Sequence, residues 1–390
     1  MKKVRWHYVV LLFGFLMINS SQAVLPNQIV FDNGGSSILL PASNYGNYNP
    51  PESGDWTISE NTQIVGLNAV LNGSIWITEP VTVKFINSEV SFGLEYGLWV
   101  SSNDVVIDGI NITAGADEIF RIGSVNNVTI QNSVARGNGT NYDSAGVVGS
   151  GATNVTIVNS TFQNFYKSIF VDHFEDFVIE DSIFEQTPDS QALDGEMQFV
   201  DNTKNVRISN CIIRNLSYDG IEIYRSSDFM INNNTIIGIG AGLHFNNEPV
   251  SNIHIINNTF LDSGARINAS DHLFFYNNDF QGDSLSMHNS RDTIISNNWF
   301  DYEDSLNAAR EPSNTNITET NNHFRFTSDN GEGDGNGESD DYNETSEPFE
   351  IIGYPMLLLM FTIGVGIVLL KERFSKTKEL WFKEDKNVVD

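Results

Sequence analysis

Asn252 to Phe260 reads NIHIINNTF, and the phrase returns as NVTIVNSTF at Asn154 to Phe162, NVRISNCII at Asn205 to Ile213 and TIISNNWF at Thr293 to Phe300. The shared pattern is apolar-x-apolar-x-Asn-(Asn/Ser)-x-(Phe/Ile). Its polar slot falls at Asn87, Gly109, Asn132, Asn159, Asp181, Asn210, Asn233, Asn257, Asn277, Asn297 and Asn321, at intervals of 20 to 29 residues. Repetition at that period, in units too short to bury a face alone, means a stacked solenoid of about eleven rungs.

The columns of the repeat say which solenoid. Four residues before the slot stand Val83, Val105, Val128, Val155, Phe177, Val206, Phe229, Ile253, Leu273, Thr293 and Ile317. Two before it stand Phe85, Ile107, Ile130, Ile157, Ile179, Ile208, Ile231, Ile255, Phe275, Ile295 and Glu319. Alternating β-branched and aromatic residues pattern a strand with one buried face. Three after the slot, Phe162, Phe184, Ile213, Ile236, Phe260, Phe280, Phe300 and Phe324 open another inward column. Asn and Asp suit the turn between, because they tolerate the left-handed conformation and bond locally. Stacked from rung to rung, their amides can also bond one another. A leucine-rich repeat needs Leu where only one of these 22 leading positions has it. The fold class is therefore all-β.

On these columns the chain resembles the right-handed parallel β-helix, or pectin-lyase-like, superfamily, which implies three strands per rung and an Asn ladder. The resemblance covers roughly residues 57–326. The opening Gly54-Asp55-Trp56-Thr57-Ile58, and Gly353-Tyr354-Pro355 leading into an apolar stretch, look like archaeal cell-surface β-helix proteins with a C-terminal anchor. Glu319 and Thr293 in apolar columns indicate a repeat that decays toward its end.

The termini set the expected topology. Lys2, Lys3 and Arg5 precede the apolar Val9 to Ile18, and Ser21-Gln22-Ala23 is a small-residue cleavage site, so residues 1–23 read as a secretory signal. Residues 24–56 read as a cap over the first rung, and 57–326 as the repeats. Residues 327–350 form an acidic, Gly-rich stalk without periodic apolar positions. Ile351 to Leu370 is uncharged and long enough for one transmembrane helix. Lys371, Arg373, Lys376 and Lys378 follow, which places the tail, residues 371–390, in the cytoplasm and the rest outside. The expectation is a single-pass cell-membrane protein.

The chain has 390 residues and a formal charge of −29. Outside the first 23 residues and the tail stand 12 basic and 45 acidic side chains, about −33 on the external part. So acidic a surface excludes a nucleic-acid partner. The single cysteine, Cys211, excludes disulfides and cysteine-cluster zinc sites, and beside the slot it reads as a small core residue.

In the superfamily, clefts lie on the outer face of the strand before the ladder strand. That strand reads here as Ile169-Phe170-Val171, Ile221-Glu222-Ile223, Leu243-His244-Phe245, Ala265-Arg266-Ile267 and Leu285-Ser286-Met287. The central residue points outward because its neighbours fit the core, which gives a column Arg121, Val148, Phe170, Gln198, Glu222, His244, Arg266, Ser286. Two residues on, Asp172, Tyr224, Asn246, Asn268 and His288 run parallel to it. The longest repeats hold loops, Gly137 to Ala145 and Gln186 to Gly195, that can wall this face.

Glu222, His244 and Arg266 on successive rungs can serve proton abstraction beside a carboxylate, or hydrolysis. Phe170 and the parallel column would then bind substrate. An acidic pocket of Asp219, Glu222 and Glu196 can hold a metal such as Ca2+, and paired carboxylates can serve a glycosidase. The alternative is a solvated face whose mixed charges only keep the rod soluble. Neither the Asn-Thr-Asp and Asp-Asp pair of polygalacturonases nor the Arg-x-x-Pro-x-x-Arg of pectate lyases occurs. Three readings stay open: a surface protein binding glycans or other envelope components, an anchored polysaccharide lyase or glycoside hydrolase, and a purely structural envelope component. Among the Asn-x-Ser/Thr sites, those at Asn159, Asn233 and Asn257 are expected to be buried by the ladder. Asn138 and Asn343 are the better glycan acceptors.

Overall fold

The computed structural model describes residues 46–326 apart from 48–49, 52, 94, 114–117, 139–143, 186–195, 217, 239, 247–248 and 308–309. The signal, stalk, transmembrane and tail expectations, Asn343 and most of the two long loops lie outside the described residues. Among those described, no helix is long and apolar enough to cross a membrane.

The chain coils as an all-β, right-handed parallel solenoid, the hand that parallel crossovers favour. Three sheets of 13, 12 and 11 parallel strands run its length. The eleven strands of the last, here the site sheet, enclose about ten complete turns. The slot-bearing strands form the 13-stranded ladder sheet, and the short strands after the slot form the third. Gly46–Asn47 pairs with Thr62–Val65, and Trp56–Ile58 opens the site sheet with Trp56 already buried. The solenoid thus begins inside the segment expected to cap it.

The columns behave as their patterning requires. Val83 to Leu273 and Phe85 to Ile295 are buried throughout, and Thr293 with them. The short sheet stacks Phe162 on Phe184 at 5.3 Å, Phe260 on Phe280 at 4.6 Å and Phe280 on Phe300 at 5.0 Å between ring centroids. Translation by one rung puts identical rings face to face, a contact that adds to their burial. Glu319 pairs in register with Ile295 but is only half-buried, its carboxylate held by both nitrogens of the Arg310 fork, Nε to Oε1 at 3.0 Å and Nη2 to Oε2 at 2.7 Å.

One expectation is corrected. All eleven slot residues have positive φ, from 47° at Asn159 to 79° at Gly109. They turn the chain outward, so Asn159, Asn233 and Asn257 are exposed rather than buried. The buried ladder is the next residue: Asn234, Asn258, Asn278 and Asn298, continued toward the N-terminus by Cys211, Ser182, Ser160, Ser133, the apolar Ile110 and Ser88. Each Oδ1 accepts the backbone N–H of the preceding rung, from Cys211 to Asn234 at 2.9 Å and so on to Asn298 and Asn322 at 3.0 Å. Each Nδ2 donates inward to a strand carbonyl, as Asn258 does to Ile231 at 2.8 Å. The turn's backbone groups are thereby satisfied without water. The exposed slot residues stack as well, Asn159 on Asn132 and Asn277 on Asn257, both at 2.7 Å. A further left-handed column runs through Asn127, Asn154, Asp176, Asn205, Asp228 and Asn252, where the site sheet bends into the ladder sheet.

Candidate functional site on the site sheet

Backbone register brings one outward residue from each rung of the site sheet into line. The column reads Thr57, Trp76, Trp99, Arg121, Val148, Phe170, Gln198, Glu222, His244, Arg266 and Ser286. The flanks of each triplet, such as Ile221 and Ile223 or Leu243 and Phe245, are buried. The alternation read from the sequence therefore holds, and the column gains two tryptophans that the reading, begun at Arg121, missed. Their signal was present: Ile75-Trp76-Ile77 and Leu98-Trp99-Val100 are the same triplet.

The first half of the column is aromatic and cationic. Trp76 and Trp99 stack at 4.7 Å with 14° between their planes. The Arg121 guanidinium lies 4.4 Å from the Trp99 ring centre and is ion-paired to Glu118. Lys167 sits 4.6 Å over the Phe170 ring. Trp76, Trp99, Arg121, Phe170, Glu118 and Asp172 border an open groove of about 560 Å³. An apolar wall with a few charged groups is the general make-up of a small-ligand site.

The second half begins polar and covered. Gln198 is 8% exposed and Glu222 4%, so these two are no part of a solvated strand face. Gln198 Nε2 donates to Glu222 Oε2 at 3.0 Å. Asp219, in the turn before Ile221–Ile223, is also buried, and its Oδ2 lies 2.6 Å from His244 Nδ1. Glu222 Oε1 lies 3.6 Å from the same nitrogen. Arg266, one rung beyond His244, is exposed and has no hydrogen-bond or ion-pair partner among the described residues. Glu222, His244 and Arg266 are neighbours as expected, with Asp219 drawn into the group. Glu196 is buried one rung before, its N–H donating to the Asp219 carbonyl at 2.9 Å and its carboxylate taking the Ser168 hydroxyl.

In the parallel column Asn246 donates to the Tyr224 hydroxyl, and Asn268 pairs in register with His288. His288 is exposed and turned to Glu311, at 3.2 Å. Asp172 borders the aromatic groove instead of the acidic cluster. Cys211 is buried, and desolvation pushes its thiol up to about 12, so it serves as core. Asn138 is half-buried at the start of a long loop.

Parallel rungs coiled about one core, with an outer column carrying an aromatic groove and a buried acid–imidazole group, define a parallel β-solenoid. The profile described as a right handed beta helix region matches residues 73–190 and 199–342, and the chain belongs to that family. No curated protein matches it. Among solved structures it is similar to PfbA, a surface adhesin of Streptococcus pneumoniae, over 68% of this chain and 82% of that one, at 13% identity and a TM-score of 0.43. The periplasmic alginate epimerase AlgG is similar over 70% and 76%, at 8% identity and a TM-score of 0.37. The A-module of the mannuronan C-5 epimerase AlgE4 of Azotobacter vinelandii is similar over 70% and 88%, at 10% identity and a TM-score of 0.31.

Proposed function

We propose that the chain is a carbohydrate-binding surface protein, anchored in the membrane by Ile351 to Leu370, whose glycan lies along the outer column of the site sheet. The observation that carries this reading is the open groove bordered by Trp76, Trp99 and Phe170, with Arg121, Glu118 and Asp172 at its edges. A saccharide offers apolar C–H faces and hydroxyls together, which aromatic walls and charged hydrogen-bonding groups complement. A straight column, one residue per rung, suits an extended polymer better than a compact ligand. The basic n-region and the Lys/Arg cluster after the apolar segment support the surface location, and Asn138 and Asn343 are its proposed glycan acceptors.

The test is a panel of neutral and acidic polysaccharides presented to the full chain and to Trp76→Ala and Trp99→Ala. At least one glycan binds, and each variant weakens it tenfold or more, about 1.4 kcal/mol, with melting temperature unchanged. Binding that ignores both substitutions would sink the reading.

A second reading, an anchored polysaccharide lyase or glycoside hydrolase, is favoured by the burial of Asp219 and Glu222 against His244 beside the exposed Arg266. It requires new reducing ends or unsaturated uronates that vanish in Glu222→Gln or Arg266→Ala.

A further inference from the structure

Asp219, Glu222 and His244 each bring one donor atom within 4.8 Å of the other two. Both carboxylates address the same atom, His244 Nδ1, from 2.6 Å and 3.6 Å. A ring nitrogen offers one N–H or one lone pair, so an acid–imidazole pair uses a single carboxylate there. The second carboxylate, only 4% exposed and also accepting from Gln198 Nε2, brings a second negative charge to that atom.

An independent feature lies against the same group. The Gln198 amide that donates to Glu222 through Nε2 keeps its Oε1 buried and without a hydrogen-bond partner among the described residues. An orphaned buried carbonyl calls for an explanation, and an ion is one. Carbonyl oxygen is an ordinary ligand for a divalent cation.

We propose that Asp219, Glu222 and His244 bind one divalent transition-metal ion, with zinc the match to this donor set and the Gln198 carbonyl a supporting oxygen. The proposal stands apart from the glycan reading. Imidazole nitrogen selects first-row metals over calcium or magnesium, and two carboxylates balance a charge of two. Donors sharing one zinc ion stand about 3.4 Å from each other. Nδ1 and Glu222 already meet that spacing, while Asp219 must withdraw from Nδ1 by under about 1 Å, a side-chain torsion. The His244 side chain is 13% exposed, which leaves the ion a route in and a position open toward the column, as in reactive rather than closed zinc sites.

The full chain, stripped with chelator in detergent, is titrated with Co2+ followed by visible absorption, and with Zn2+ by calorimetry. One equivalent of Co2+ gives a visible band that Zn2+ displaces. His244→Gln and Asp219→Asn weaken binding tenfold or more, whereas His272→Gln, exposed on the strand Ser270–Tyr276, leaves it intact. No band at one equivalent, a band indifferent to His244→Gln, or displacement by equimolar Ca2+ overturns the proposal. Should a variant lose its near-ultraviolet circular dichroism, X-ray absorption of the wild-type zinc complex decides: one bound imidazole upholds the site, and none overturns it.

Discussion

Asn278 Oδ1 accepts two hydrogen bonds from Asn258, one from its backbone N–H and one from its side-chain amide, both at 3.0 Å. One side chain thus ties two rungs by backbone and by ladder. Asn278→Ala removes the acceptor and leaves two buried donors unpaired, at a cost of about 3 kcal/mol. Asn277→Ala, next door at the exposed turn, loses a left-handed preference worth about 1 kcal/mol. Urea unfolding of the two variants checks the order; equal losses would refute the assignment of the inner ladder.

The aromatic stack makes a larger claim. Phe280 lies between Phe260 and Phe300 with no solvent exposure, so Phe280→Ala opens a cavity beside two rings that cannot collapse into it. The expected loss is about 3–5 kcal/mol, read from the same unfolding curves. A loss under about 1 kcal/mol would mean that the stack contributes little.

Cys211 reports on opening of the rod. With its thiol pushed up to about 12 by burial, the native chain at pH 8 resists a maleimide or disulfide reagent. Labelling becomes rapid once urea unfolds the rung. Reaction of the native chain as fast as that of a free thiol would contradict the packing.

Asp228 links stability to acid. The Asn252 amide, then the Ser227 hydroxyl, holds its carboxyl below the usual carboxylate range. A lowered folded value stabilises the fold above the ordinary value near about 4, and the contribution fades as pH falls from there through the folded value. Asp228→Asn keeps an oxygen for Asn252 but removes the titration. Its stability should fall less steeply below about pH 4 than that of the wild type, as measured by thermal melts across the acid range.

The inward columns were legible because Val, Ile and Phe at fixed offsets have no other place to go. The inner ladder was read one residue early, since the pattern offers two adjacent polar positions and both are Asn in Asn257-Asn258, Asn277-Asn278 and Asn297-Asn298. What separates them is tolerance: the inner position runs Ser88, Ile110, Ser133, Ser160, Ser182, Cys211, then Asn, while the turn position holds Asn, Asp and Gly. Uncharged residues of varied kind, one of them apolar, mark confinement; Asn, Asp and Gly mark a positive φ. The outer column was legible by alternation, but the burial of Gln198 and Glu222 was not, since periodicity tells which way a side chain points and not what covers it. Asp219, three residues before Glu222, was legible as part of an acidic pocket, but its contact with His244 was not, since it lies off the period in a turn.

The last rung differs from the others in one chemical respect. At Glu319 a carboxylate, clasped by Arg310, stands in the column that Ile295 and its predecessors fill with hydrocarbon. The open end of a stack of parallel strands is a template for whatever chain arrives next, including the first rung of another copy. A charged pair set in the hydrocarbon register makes such an addition bury an ion pair instead of a methyl group. At the last described rung, Arg310 and Glu319 thus set the cost of burying an ion pair against any chain that would add in that register.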